Sequence, residues 1–415
     1  MRYKESLLIT NISAMVSLRG LEYICSFLLV PYLLRVLGPE RFGAVAFMQS
    51  IIGYILLIVD YGFNLTAPRA IVSREKAELG ELFSLFMSCK FILLIIGTLG
   101  FFGIYLISAF YFQFHLDIKL FLAVYLSVVG NVLFPIWFFQ GIQELKYITL
   151  FNTYGRLFSM AGIFIFVHSP SDYVLAAGLQ ACVPMVAGAA SLYMLWRRFP
   201  RLWVCPTLNQ ILKAFIDGWR IFISMLAVNI YTTTNIVILG IFTNNTIVGY
   251  YSGAMKLIEC VRRLIDAFGQ ALYPYITKTI HKNYEEGILF LKRLLYIVIG
   301  GSVVGTMVLF FCAEPLVHIL LGTQYKMSVI LFEILSILPG MVAVSYVFGM
   351  LTMLPLNLNK EYSNALLVAA CFSFICVVPL TYFLGAIGTA ITATLTECLI
   401  VGVMGVMLKH KGILI

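Results

Sequence analysis

The chain has 415 residues, of which 61% are hydrophobic and only 11% charged, with a formal charge of +9. That balance excludes a soluble globular domain and a nucleic-acid-binding protein, and points to an all-α polytopic membrane protein. The nine cysteines are odd in number and form no C-x-x-C pair, so neither a disulfide framework nor a zinc site is expected, and no cofactor is implied.

Met1-Arg2-Tyr3-Lys4 looks like the start of a signal peptide, but the apolar run that follows is too long and lacks a small-residue cleavage site, so it reads as a retained first span. Twelve helices are predicted, at about 11–34, 42–66, 82–112, 117–141, 148–168, 172–196, 217–241, 247–272, 292–312, 327–354, 362–383 and 386–408. Pro135 and Pro184 fall inside spans and are expected to kink them. The stretch "PIWFFQG" (135–141) reads as part of an interfacial aromatic belt. With the N-terminus in the cytoplasm, 17 of the 28 Lys and Arg residues fall in cytoplasmic connectors and four on the opposite side. That asymmetry obeys the positive-inside rule and places both termini in the cytoplasm.

The connector near 197–216 divides the chain into an N-terminal lobe (1–200, helices 1–6) and a C-terminal lobe (201–415, helices 7–12). The lobes show faint self-similarity. "VLGPERFGAVAF" (36–47) and "ILGIFTNNTIVGYYSGA" (238–254) occupy equivalent helix junctions, and 174–198 aligns without gaps with 387–411. Two six-helix lobes related by a pseudo-two-fold axis along the membrane normal are expected, an arrangement that commonly places a substrate site between repeats.

Charges inside predicted spans are the main functional clue, because each costs at least about 2.5–3.5 kcal/mol at the bilayer centre. Lys256, Glu259, Arg262, Arg263 and Asp266 lie in one span. At about 100° per helical residue they occupy one arc of about 120° with alternating sign, which fits a face turned to a wet cavity or to a self-paired strip. The other intramembrane cations are Arg19, Lys90, Arg156 and Arg220. Together the cations cluster toward the cytoplasmic half and suit a phosphate-bearing substrate, since Arg offers a fixed fork of donors to phosphate oxygens. Lys90 can also snorkel to the interface, and Arg220 has Asp217 one turn back. The acids Glu22, Asp60, Glu259, Asp266 and Glu397 are candidates for ion coupling; for Asp60 and Glu397 the alternative is a salt bridge to another helix. No nucleotide-binding loop, metalloprotease helix or nucleophile elbow occurs, and the connectors are too short for a catalytic domain, so no catalytic or metal-binding residue is assigned.

"PYLLRVLGPERFGAVAFMQSI" (31–51), "VDYGFNLTAPRAI" (59–71), "PIWFFQG" (135–141), "VGYYSGAMKL" (248–257) and "LYPYI" (272–276) resemble Wzx-type O-antigen flippases. These form the polysaccharide-transport branch of the multidrug/oligosaccharidyl-lipid/polysaccharide exporter superfamily. The resemblance implies a carrier of the bacterial inner membrane, not an enzyme. It would move an undecaprenyl-pyrophosphate-linked oligosaccharide, the O-antigen repeat unit, to the periplasmic leaflet by alternating access. A central cationic cavity is implied as well, with other polysaccharide-assembly membrane proteins as further partners beside the lipid bilayer. Two alternatives stay open: a drug/cation antiporter of the same superfamily, and an all-helical O-unit polymerase.

Overall fold

The computed structural model describes residues 2–72, 78–112, 117–199 and 203–413, and the backbone alone at 2–24, 26, 107–112, 224, 227, 228 and 230–232. The side chains of Arg19 and Glu22 therefore lie outside the described residues. Among the described residues the regular elements are helices and there is no strand. This follows from the solvent: in hydrocarbon a backbone must satisfy its own hydrogen bonds, and a helix does so within one segment.

In chain order the helices are α1 (Arg2–Asp60), α2 (Phe63–Val72), α3 (Leu79–Phe112), α4 (Ile118–Leu133), α5 (Ile136–Gly141), α6 (Leu145–Phe166), α7 (Tyr173–Arg198), α8 (Leu208–Phe242), α9 (Asn245–Lys282), α10 (Tyr284–Phe311), α11 (Ala313–Leu320), α12 (Lys326–Leu335), α13 (Ile337–Tyr346), α14 (Asn359–Leu384) and α15 (Ala386–His410). A π-helical turn, Val347–Met353, continues α13. Among the described residues, eight helical stretches are long and apolar enough to cross a membrane, the first being Phe27–Val72. The chain is a multi-pass membrane protein. Helices α6 and α9 fall outside that set because polar and charged residues dilute them, α9 most of all, and the described part of α8 adds the shorter apolar stretch Thr233–Phe242.

The breaks have local causes. Gly38 interrupts α1 with φ 70° and ψ 171°, a backbone shape that L side chains avoid. Pro135 separates α4 from α5, as its missing N–H requires, whereas α7 runs through Pro184 without interruption. The span predicted at 327–354 is three pieces, α12, α13 and the π turn. In the π turn the Thr352 hydroxyl donates to the carbonyl of Val347 at 2.8 Å.

The chain forms two compact units, one of Met1–Leu37 and Met48–Leu226, the other of Gly38–Phe47 and Ala227–Ile415. In the first, α7 packs between α4 and α6 through small buried residues such as Ala177, Ala181, Ala187 and Gly188. Its apolar core gathers Phe63, Phe83, Phe86, Trp137, Phe138 and Phe139. The last three are wholly buried, so "PIWFFQG" is not the interfacial belt expected: α5 docks on α2 and turns its aromatics inward. In the second unit, Ile276, Ile280, Leu291, Phe348, Met353, Ile400 and Met404 form the core. There the segment 38–47 lies against the start of α9 so closely that a Cβ on Gly43 would stand 1.8 Å from the Asn245 carbonyl oxygen, and one on Gly249 1.8 Å from that of Pro39. Only glycine fits at either position, which accounts for two glycines of the resemblance motifs.

Candidate functional site

Helix α9 carries the charge arc. Its N-terminus is fixed by Asn244, whose side chain accepts from the Ile247 amide at 3.0 Å. Tyr251, Ser252, Gly253, Ala254, Leu257 and Ile258 are buried in the unit. Past them the charged residues turn toward a cavity of about 370 Å³ lined by Asn235 of α8, Met255, Glu259, Arg262, Arg263 and Asp266 of α9, Leu338 of α13, and Ala393, Thr396 and Glu397 of α15.

Lys256 and Glu259 pair with each other at 3.0 Å, both more than a third exposed. Beyond that pair, Arg262, Arg263 and Asp266 form no ion pair within 4 Å among the described residues. The self-paired strip is therefore realised in one pair only, and two guanidinium forks remain available on the cavity side.

Glu397 is the feature that α9 alone does not reveal. It is 8% exposed and makes no hydrogen bond or ion pair among the described residues, and its charge is felt by Arg262. The threonines around it are engaged elsewhere: Thr394 and Thr396 donate to the carbonyls of Ala390 and Thr392, one turn back, at 3.0 and 2.7 Å. A buried carboxylate with no donor is costly and marks a functional position. Asn235 is 4% exposed, and its side-chain oxygen has no hydrogen-bond partner. The polar run 229–235 within an apolar helix was the signal that would have found it. Counting Lys256, which does not line the cavity but neutralises Glu259, the charges balance with Glu397 ionised and sum to one positive charge with it protonated. The cavity thus mixes signs.

The remaining candidates belong to the first unit. Lys90 does not snorkel: it is 1% exposed and ion-paired at 3.0 Å with Asp60. The same carboxylate oxygen accepts from the Asn64 amide at 3.3 Å. Arg156 is half-buried on α6, and Arg220 is exposed on α8 with Asp217 exposed nearby.

A family model described as "Polysaccharide biosynthesis protein" matches residues 8–280. The chain belongs to this polysaccharide biosynthesis family. The match runs from α1 through all five α9 charges and ends before Glu397. A putative O-antigen transporter of Escherichia coli (strain K12) is 32% identical over 409 residues, covering 98% of this chain and 97% of the relative. One of Shigella dysenteriae is 28% identical over 94% of this chain and 97% of its own. Among solved structures, the inward-closed lipid II flippase MurJ matches with a TM-score of 0.71 at 14% identity, over 97% of this chain and 87% of that one. An inward-facing multidrug resistance MATE family transporter of the MOP superfamily gives 0.68 at 14% identity, over 94% of each chain. At that identity the likeness establishes the fold, that of this transporter superfamily. The resemblance to Wzx-type flippases read from the motifs is borne out.

Proposed function

We propose that this member of the polysaccharide biosynthesis family is a flippase. It carries undecaprenyl-pyrophosphate-linked O-antigen repeat units from the cytoplasmic to the periplasmic leaflet of the bacterial inner membrane by alternating access. The observation that carries this reading is the full-length likeness to the O-antigen transporters. The twelve-span topology, the two six-helix lobes meeting at residue 200, and cytoplasmic termini belong to the same reading.

The geometry of the second unit fits it. Arg262 and Arg263, free of carboxylate partners, present paired donors to a pyrophosphate, and a guanidinium stays charged in a low-dielectric site. Asn235, whose side-chain oxygen is unpartnered, lines the same space and suits a sugar hydroxyl. Glu397 sets the sign of the site: protonated, it leaves an excess positive charge that holds the anion; ionised, it returns the cavity to balance and favours release. Asp266 and Glu259 keep the arginines from binding the anion irreversibly. Arg19, Arg156 and Arg220 remain candidates for guiding the head group elsewhere on its route, and Glu22 for ion coupling. Lys90 and Asp60, which pair with each other, are best read as structural.

The three carboxylates at the cavity are what favours a second reading, export of an organic cation with proton exchange. The relatives, named as transporters of O-antigen, weigh against it and against an O-unit polymerase. Deletion of the gene and complementation with wild type and with Arg262→Ala and Arg263→Ala tests the choice, reading undecaprenyl-linked units by leaflet. A flippase strands the units on the cytoplasmic face when it is lost, and the arginine variants fail to restore them while inserting normally. Units that reach the periplasm unpolymerised refute the flippase reading.

A further inference from the structure

Beside the polar cavity the second unit has a hollow of opposite chemistry. It measures about 470 Å³ and runs between α9, α10 and α13, lined almost wholly by apolar side chains. Val261, Ile265 and Phe268 form its α9 wall. At about 100° per residue, that wall is centred about 150° around the helix from the charged arc. One helix therefore offers guanidiniums on one side and an apolar groove on the next. Tyr346 stands at the seam: it lines the groove, its ring packs on Gly269, and it interacts electrostatically with Asp266 of the cavity.

The opposite wall is built to stay open. Gly301 and Gly305 of α10 line the hollow, and a Cβ on either would meet nothing within 4 Å. Only 6% of the apolar window of α10 is buried within the protein, so the groove opens sideways to lipid. Lipid tails are as apolar as the groove, so nothing drives a chain into it by the hydrophobic effect; what it can supply is shape and close packing. Occupancy is then selected by what the chain is attached to. The anionic head that suits Arg262 and Arg263 is tethered to its own tail, and the groove lies next to that site.

We propose that this groove seats the head-proximal isoprene units of the lipid-linked substrate while its pyrophosphate occupies the neighbouring cavity. The inference rests on the flippase reading and deepens it. The polyprenyl chain slides in the groove, open to the bilayer, and the polar part crosses through the protein. The groove fixes the register of the tail, and through it the placement of the pyrophosphate.

The test uses the full-length protein in proteoliposomes. The probe is a synthetic undecaprenyl-pyrophosphate-linked N-acetylglucosamine with a diazirine in an isoprene unit near the pyrophosphate. Gly301→Phe and Gly305→Phe fill the groove without a backbone clash. Gly300→Phe is the control, since a Cβ there also meets nothing within 4 Å but the residue does not line the groove. The expected result is cross-linking to 294–309, competed by unlabelled probe, together with a roughly tenfold lower translocation rate in the two groove variants and a wild-type rate in the control. Equal labelling of 294–309 by a diazirine phosphatidylglycerol, uncompeted by the probe, means ordinary membrane lipid fills the groove and overturns the proposal. So do groove variants that translocate the long-tailed probe at the wild-type rate. If the wild type itself moves no head group, the flippase reading has failed and this inference falls with it; a transporting wild type with indifferent groove variants sinks the groove alone.

Discussion

Two sets of intramembrane charge invite comparison. In the first unit, Lys90 is sealed from solvent and salt-bridged to Asp60, with Asn64 completing the carboxylate's partners. In the second, Arg262, Arg263, Asp266 and Glu397 sit around a cavity with no ion pair within 4 Å among the described residues. Both sets bear the cost of leaving water. The first recovers it inside the protein, and its geometry is closed. The second does not, so its donors and acceptors stay available for something that arrives. On the flippase reading, the unpaired set rather than intramembrane charge as such is the candidate transport site.

The largest effect that would sharpen this contrast is Lys90→Ala, which strands Asp60. A broken buried pair costs about 3–5 kcal/mol, and the partial exposure of Asp60 places this one at the low end. Thermal unfolding in detergent should show that loss, and Lys90→Met with Asp60→Leu should recover most of it along with transport. If the double variant folds but does not transport, the pair belongs with the functional set and the contrast fails. Next come Arg262→Ala and Arg263→Ala. Each should leave stability within about 0.5 kcal/mol and lower translocation at least roughly tenfold. Loss of folding instead would mean that these arginines brace the unit.

Glu397→Gln should act more subtly. It holds the cavity at the charge of the protonated state, so the rate should lose whatever pH dependence the wild type shows, measured in proteoliposomes at matched inner and outer pH. A wild-type pH profile in this variant would remove Glu397 from the mechanism.

The smallest effect serves as a control outside the membrane. Asp117 caps α4, accepting from the Leu120 amide at 3.1 Å and from the Tyr173 hydroxyl. Burial alone would raise its pKa, but the Tyr173 hydroxyl and the Leu120 and Lys119 amides outweigh it and hold the carboxyl below the ordinary range. A depressed carboxylate contributes its stability above the unfolded value, about 3.9, and loses it as pH falls through the folded value. Asp117→Ala should therefore destabilise by about 0.5–1 kcal/mol at pH 7 and progressively less below about pH 4.

Much of this was legible in the sequence. Hydrophobic runs place the helices, because in hydrocarbon every spanning segment must satisfy its own backbone. The arc on α9 was visible because five charges in eleven residues leave no other face. What pairs with what was not visible. Lys90 and Asp60 are thirty residues apart on separate helices, and Glu397 reaches the α9 arginines from a helix far along the chain. Hydropathy reports that a side chain leaves water but is silent about its neighbour. It misplaced Trp137 for the same reason: an aromatic cluster near a span end reads alike in an interface and in a packed core. Asn235 carries the polar signal on α8, but an amide closing a run that already holds Asn229 and four hydroxyls does not stand out until a cavity gathers it.

The assignment of Gly38–Phe47 to the second unit has a consequence for how the molecule can be taken apart. The chain passes from one unit to the other three times, so no single cut releases them as separate contiguous fragments. A gene split in the 197–216 connector would leave the piece bearing Gly43 on one polypeptide and its seat at Asn245 and Gly249 on the other. Co-expressed halves thus carry a built-in clasp that holds them by segment exchange, whereas either half alone presents an unfilled surface and a ready invitation to swap with a second copy.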